Sequence, residues 1–172
     1  VPETCSGSPG ATASRKVFAM MVSFTLNGSP ATGRVERPVS LLDFLRDELE
    51  VTGSKSACEQ GECGSCSVIL VGVVVCSCLV MAADVEGSSV TTVEGLESEE
   101  TLNAVQRAMH ETGAVQCGFC TPGIVVAATD LFSHNPSPTT VEIKEALAGN
   151  ICRCTGYGAI IRAFETLAEE SA

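Results

Sequence analysis

The stretch Cys58-Glu59-Gln60-Gly61-Glu62-Cys63-Gly64-Ser65-Cys66 gathers three cysteines in the spacing C-x4-C-x2-C, and Cys78 follows a short distance along the chain. Glycine at positions 61 and 64 suits a tight loop, because glycine adopts positive φ without steric penalty. Such a loop also lets backbone N–H groups approach sulfur atoms. The stretch therefore predicts a loop that collects thiolate ligands around a metal centre, with the fourth thiolate supplied by a neighbouring strand or turn.

The spacing discriminates between the two kinds of centre that four cysteines commonly hold. C-x4-C-x2-C followed by a fourth cysteine is the spacing of plant-type [2Fe–2S] sites, in which each of two sulfide-bridged irons takes two thiolates. Zinc sites usually pair their ligands as two C-x2-C units, whereas this part of the chain has one such pair. The pattern favours an iron–sulfur cluster over zinc.

Composition limits the remaining classes of protein. The chain has 172 residues, enough for one domain or two small ones. Its ten cysteines would suggest disulfides in a secreted protein, but C-x-C and C-x2-C spacings with intervening glycines favour metal ligation in a reducing compartment. A net charge of −11 argues against a nucleic-acid partner. The acidic residues are spread out, which favours a solvated surface over a docking face for a basic partner.

Two segments of the chain are candidates for an export signal or a membrane-spanning helix, and neither fits. Residues 1–20 are rich in Ser, Gly, Pro and Ala and lack the apolar core of a secretory signal, so we interpret them as a flexible extension, with Cys5 as a free thiol. Residues 67–83 are nearly all apolar. They are shorter than the roughly 20 residues that a membrane-spanning helix needs, and their valine content predicts strands.

The first half of the chain predicts strands, one helix and the cysteine loop. Apolar and polar residues alternate over 22–26, as in a half-buried strand, and Asn27-Gly28 predicts a hairpin turn into a second strand near 32–37. Ser40 caps a predicted helix that ends at Gly53. Beyond the cysteine loop we expect further strands, the first two of them buried and joined at Gly72. Their ranges are 67–71, 73–75 and 90–93.

The second half is helical by its periodicity. We expect a first helix from Leu102 to Gly113, a second that begins with Thr121 as N-cap and Pro122 in the first position, and a third that begins with a Thr139/Glu142 capping box and ends at Gly149. A fourth helix contains Ile160. Four short helices suggest a helix bundle, and we place the boundary between the two domains at residues 95–100.

A second set of four cysteines lies at the helix junctions of this half, in the pattern C-x2-C plus C-x-C: Cys117, Cys120, Cys152 and Cys154. Helix N-termini present N–H groups and a positive dipole end to an anionic centre. Zinc is a more serious alternative here than in the first half, and disulfides are a third alternative, although C-x-C pairs form poor ones.

Three stretches together carry a resemblance to a known family. They are residues 58–66 with Ser77-Cys78-Leu79, residues 116–123, and Gly-Asn-Ile-Cys-Arg-Cys-Thr-Gly-Tyr at 149–157. Across about residues 21–170 the chain resembles the small iron–sulfur subunit of the molybdenum hydroxylases, the xanthine oxidase family. The resemblance implies an α+β chain with a β-grasp, plant-type ferredoxin domain over 21–97 and an all-α four-helix-bundle domain over 98–172, each holding one [2Fe–2S] cluster.

The resemblance also assigns ligands. It implies an outer cluster, facing a flavin, held by Cys58, Cys63, Cys66 and Cys78, and an inner cluster held by Cys117, Cys120, Cys152 and Cys154. It implies that Cys154 lies closest to a molybdopterin on a partner subunit, and that Gln116 hydrogen-bonds this pterin. Cys76 lies two residues before Cys78 and departs from the family pattern, so we interpret it as a buried free thiol.

The function implied by the resemblance is electron transfer without any catalytic residue in this chain. A large subunit would bind molybdopterin and hydroxylate the substrate, and a medium subunit with FAD, or a haem-bearing cytochrome, would receive the electrons. The sequence leaves two alternatives open, a stand-alone ferredoxin-like carrier and a zinc-stabilised interaction protein. We expect a cytoplasmic protein, or a periplasmic one if a partner carries the export signal.

Overall fold

A computed structural model describes residues 19–96 and 102–171 of the chain. Strand β1 (Met20–Leu26) and strand β2 (Ser29–Val35) form an antiparallel hairpin. Asn27 and Gly28 join them at φ values of 51° and 79°, which is the positive-φ pair of a type I′ turn. The predicted hairpin is confirmed, but β2 begins earlier than predicted, because this two-residue turn pairs the strands from Leu26 and Ser29 onward.

The predicted extension over residues 1–20, including Cys5, lies outside the described residues except at its last two positions, and β1 begins at the second of these, Met20.

A short helical segment follows the hairpin and packs on the sheet. Helix α1 (Leu41–Asp43) continues into a π-helical turn (Phe44–Glu48), and the Ser40 hydroxyl accepts the predicted capping bond from the backbone N–H of Asp43 at 3.1 Å. The predicted end at Gly53 is wrong. The segment ends at Glu48 with Leu49 as its C-cap, because the following Glu50 takes the left-handed conformation at φ 57°. The N–H of Gly53 instead bonds a Glu94 carboxylate oxygen at 2.6 Å.

Three further strands complete a five-stranded sheet in the order β2-β1-β5-β3-β4. They are β3 (Ser67–Leu70), β4 (Val73–Cys76) and β5 (Ser89–Thr91). Strand β5 runs parallel to β1 and antiparallel to β3. The prediction that both strands around Gly72 are buried is wrong for β4, because β4 lies at the sheet edge and Val73 is 62% exposed.

Four α-helices follow the sheet in the chain: α2 (Ala104–Glu111), α3 (Thr121–His134), α4 (Thr140–Ala146) and α5 (Gly158–Glu170). Helix α4 begins with the predicted Thr139/Glu142 capping box but ends before Gly149. Helix α3 begins one residue earlier than predicted, with Cys120 as its N-cap. The protein is thus a mixed α+β fold, and the predicted boundary at residues 97–98 falls outside the described residues.

Each half has its own apolar core. One core lies between the sheet and α1 and includes Val22, Leu41, Leu45, Val68 and Val85. The other lies among α2–α5 and is centred on Phe164. Helix α3 packs against β3 and β4 and so joins the two halves. Among the described residues, no helix is long and apolar enough to cross a membrane.

Candidate metal centres

The outer group comprises Cys58, Cys63, Cys66 and Cys78. Its first three members lie on the loop between α1 and β3, which turns through Gly61 and Gly64 at φ values of 77° and 66°. The loop is closed at its base by a hydrogen bond of 3.0 Å from the N–H of Lys55 to the carbonyl of Ser65. Positive φ at both glycines is what the sequence predicted for this loop.

The sulfur atoms of the outer group are arranged in two pairs. The side chain of Cys58 interacts with that of Cys63, and the side chain of Cys66 interacts with that of Cys78. Cys78 is contributed by a 3₁₀ turn (Ser77–Leu79) that directly follows β4. Two pairs of thiols are the arrangement that a two-iron cluster requires, with one pair for each iron.

Backbone N–H groups and burial give the outer thiols different acidities. The N–H of Gln60 lies 3.4 Å from the sulfur of Cys58. This bond, followed by the Cys63 side chain and two further N–H groups, lowers the pKa of Cys58 to about 6. Burial raises the pKa of Cys78 to about 12, with Cys66 adding to the effect. Cys58 therefore ionises more readily than Cys78.

The inner group comprises Cys117, Cys120, Cys152 and Cys154, and it is also paired. The sulfur atoms of Cys117 and Cys154 lie 3.4 Å apart, and the side chains of Cys120 and Cys152 interact. The first pair is exposed, whereas Cys120 is half-buried and Cys152 is buried. The predicted placement at helix junctions is confirmed, since one C-x2-C lies at the start of α3 and the C-x-C precedes α5.

Nearby hydrogen-bond donors also change the pKa values of the inner thiols. The N–H of Phe119, followed by the Cys154 side chain, lowers the pKa of Cys117. Burial opposes ionisation of Cys152, but the Thr155 hydroxyl at 3.1 Å and nearby N–H groups outweigh burial and lower its pKa. Burial raises the pKa of Cys120 to about 12.

Tyr157 holds the backbone of the inner group in place. Its hydroxyl accepts a hydrogen bond of 2.8 Å from the N–H of Cys152 and donates one of 3.0 Å to the carbonyl of Asn150. Tyr157 itself adopts the left-handed conformation at φ 64° as the N-cap of α5. The side chain thus spans the turn that carries the C-x-C pair.

The two groups meet at a direct backbone junction. The N–H of Ile151 donates to the carbonyl of Cys63 at 3.0 Å, and the buried side-chain amide of Asn150 donates to the carbonyl of Gly64 at 3.2 Å. A Cβ atom at Gly123, in the first turn of α3, would overlap the carbonyl oxygen of Gly64. The close approach of the halves therefore depends on glycine at this position.

Both donor sets consist of thiols, which are the ligands of [2Fe–2S] clusters. Zinc needs four ligands around a single point, whereas a two-iron rhomb is held by two separate thiolate pairs. Both cysteine groups show the paired arrangement.

Comparisons with known proteins identify the family. Residues 24–91 match the model of a 2Fe-2S iron–sulfur cluster binding domain, and residues 92–165 match that of a [2Fe-2S] binding domain. The chain is 45% identical to a probable xanthine dehydrogenase subunit of Bacillus subtilis over 80% of this chain and 79% of that one. It is also 45% identical to the nicotine 6-hydroxylase small subunit of Paenarthrobacter nicotinovorans, over 83% and 86% of the two chains. The chain belongs to the small iron–sulfur subunits of the molybdenum hydroxylases.

Solved structures of this family share the fold. Quinoline 2-oxidoreductase from Pseudomonas putida 86 matches with a TM-score of 0.85 and 44% identity, over 89% of this chain and 96% of that chain. The aldehyde oxidoreductase of Desulfovibrio desulfuricans matches with a TM-score of 0.82 and 38% identity, over 87% of this chain but 17% of that longer chain. The small iron–sulfur subunit is thus an electron-transfer component of an oxidoreductase, and the two alternative functions are not favoured.

Sequence reasoning missed three features of this iron–sulfur subunit: the tyrosine bridge, the buried Asn150 and the contact at Gly123. The sequence contained a weak signal for each feature, because Tyr157, Asn150 and Gly123 all lie beside or within the cysteine motifs. Gln116 was predicted to contact a partner, and it is exposed next to Cys117.

Proposed function

We propose that this subunit holds one [2Fe–2S] cluster at each cysteine group and transfers electrons between two partner subunits. Electrons would enter from a molybdopterin centre on a large subunit, pass the inner group and then the outer group, and leave to FAD on a medium subunit or to haem on a cytochrome. The bound clusters supply one-electron transfer, and this chain supplies no catalytic residue.

The ligand assignment and domain division follow from the same proposal. The outer group belongs to a β-grasp ferredoxin domain over 21–97, and the inner group to a four-helix-bundle domain over 98–172. The paired sulfur atoms of both groups support the assignment of these eight ligands: Cys58, Cys63, Cys66, Cys78, Cys117, Cys120, Cys152 and Cys154.

The observation that carries the proposal is the backbone junction between the two groups. Cys152, a proposed inner ligand, is covalently joined to Ile151, whose N–H donates to the carbonyl of Cys63, a proposed outer ligand, at 3.0 Å. One hydrogen bond and a few covalent bonds therefore connect the two ligand sets. Asn150 fixes this junction by its bond to Gly64, so we assign it as a positioning residue.

The surface of the inner group supports docking of the large subunit there. Cys117 and Cys154 are exposed, and three exposed apolar side chains lie close to them in sequence: Val115, Phe119 and Ile151. Exposed apolar side chains around a redox site are typical of a protein interface. Gln116 lies beside them, and its amide offers both donors and an acceptor to a pterin.

The surface near the outer group carries acidic side chains, whereas the three apolar ones named above lie near the inner group. Glu59 and Glu62 are exposed on the cysteine loop, so this face is acidic. We propose that the second partner binds here, where acidic side chains favour a basic surface. The use of thiolates throughout also leads us to propose a reducing compartment such as the cytoplasm.

The proposal is tested in the purified complex with its partner subunits. Cys154→Ser should reduce substrate-driven electron flow to an external acceptor and remove the inner cluster, while the outer cluster remains. The matched control is Cys5→Ser, which changes a thiol outside the proposed eight ligands. Full turnover with an unchanged iron content in the Cys154→Ser complex would contradict the ligand assignment.

A further inference from the structure

Cys76 is a fifth thiol beside the outer group that the proposed function does not use. It is the last residue of β4, and Cys78 follows two positions later. Cys76 is the N-cap of the 3₁₀ turn that carries Cys78, and the hydroxyl of the buried Ser77 between them donates to the carbonyl of Cys66 at 2.7 Å. This hydrogen bond anchors the segment that carries both thiols to the cysteine loop.

The contacts of Cys76 place it at the ligand site itself. Its side chain interacts with that of Cys66, as the side chain of Cys78 also does. Its sulfur lies 3.5 Å from the carbonyl oxygen of Gly61, to which the thiol donates, and the N–H of Gly61 is directed at Cys78. Both thiols thus share the same two neighbours, Cys66 and Gly61.

The backbone that carries the two thiols has few constraints on one side. Strand β4 lies at the sheet edge and pairs with β3 alone. Cys78 lies in a 3₁₀ turn, and the neighbouring Leu79 is 64% exposed. An edge strand followed by a short turn can adjust its position by more than a central strand can, since fewer ladder hydrogen bonds hold it.

We propose that Cys76 is an alternative fourth ligand of the outer cluster, which replaces Cys78 on the iron that Cys66 binds. In the exchange the Fe–S bond to Cys78 breaks and its sulfur takes up a proton, while the thiol of Cys76 loses its proton to solvent and forms a new Fe–S bond. No electron is gained or lost. The inference rests on the proposed function, because it needs a cluster at the outer group.

The experiment compares three variants of the full chain: Cys76→Ala, Cys78→Ala and the double variant. All are made in a Cys5→Ala background, so that the N-terminal thiol cannot substitute. Each is loaded with iron and sulfide without oxygen, and its iron content and the EPR spectrum after dithionite reduction are measured. The signal of the inner cluster reports in every sample that the chain has folded.

We expect both single variants to keep about four irons per chain, with a shifted outer signal in Cys78→Ala, and the double variant to keep about two irons and the inner signal alone. The inference is overturned if Cys78→Ala already falls to about two irons, or if the double variant still holds about four. A parent chain that never reaches about four irons would instead overturn the proposed function.

Discussion

The two cysteine groups reach the same paired arrangement by opposite means. Three members of the outer group come from one loop, so the local conformation of residues 58–66 places most of the site. The inner group takes two cysteines from the start of α3 and two from the turn before α5, and the packing of helices brings them together. The outer group is therefore a local structure with one distant ligand, whereas the inner group exists only in the folded helical half.

This difference predicts an asymmetry between ligand deletions, which is the largest effect we expect. Cys120→Ala should lose the inner cluster, about two of four irons, and loosen α3 from α5, because the cluster joins the two helix starts. Cys63→Ala should also lose about two irons yet leave the helices protected. Iron analysis with amide hydrogen exchange measures both effects. If the amide hydrogens of α5 exchange equally slowly in the two variants, the proposed contrast between the outer and inner groups is wrong.

A second prediction concerns the junction between the groups. In Gly123→Ala the new methyl group would overlap the carbonyl oxygen of Gly64. We expect a loss of about 3 kcal/mol in the free energy of unfolding, because two backbone segments must separate.

Gly149→Ala is the matched control for this change, since a Cβ there meets open space. Chemical denaturation of both variants measures the difference between them. A Gly123→Ala protein as stable as the control would show that the halves are not held in close contact.

A third, smaller effect concerns the Tyr157 bridge of the inner group. Tyr157→Phe removes the hydroxyl that accepts the N–H of Cys152 and donates to Asn150. We expect a loss of about 1–2 kcal/mol in stability from the unpaired N–H, with a shift of the inner EPR signal alone. Redox titration followed by EPR separates the signals, and a shift of the outer signal instead would contradict the local role of Tyr157.

The smallest predicted effect concerns the capping box of α4 and sets a baseline for the others. The N–H and hydroxyl of Thr139 lower the pKa of the Glu142 carboxyl, so the stabilisation is present above the ordinary carboxyl pKa of about 4.3 and is lost as the pH falls through the lowered value. Glu142→Gln should therefore lower the melting temperature slightly at pH 7 and leave it unchanged at strongly acidic pH. A difference that persists in acid would contradict this origin.

The comparison also explains how much could be predicted from the sequence. The outer loop, the Asn27-Gly28 turn and the Thr139/Glu142 box were predicted because each is decided by residues close together in the chain. The end of the helical segment at Glu48 was missed because Glu50 adopts a positive φ that its residue type does not predict. The exposure of β4 was missed because an apolar run does not reveal whether its strand lies at a sheet edge.

The inner group shows more clearly that sequence does not reveal contacts between residues far apart in the chain. Its four cysteines were visible as motifs, but the packing of α3 on the outer loop, which makes Gly123 and Asn150 necessary, depends on contacts between residues far apart in sequence. The residues alone grouped the C-x2-C and C-x-C motifs as one set of four thiols, but the family resemblance was needed to choose an iron–sulfur cluster over zinc or disulfides.

The central claim is that each cysteine group holds one cluster and that the backbone junction links the two sets of ligands. EPR of the dithionite-reduced full chain, with iron and acid-labile sulfide analysis, tests it most directly. We predict two distinct S = 1/2 signals, broadened by their mutual interaction, with about four irons and four sulfides per chain. One signal with about two irons, or a colourless protein that contains zinc, would contradict it.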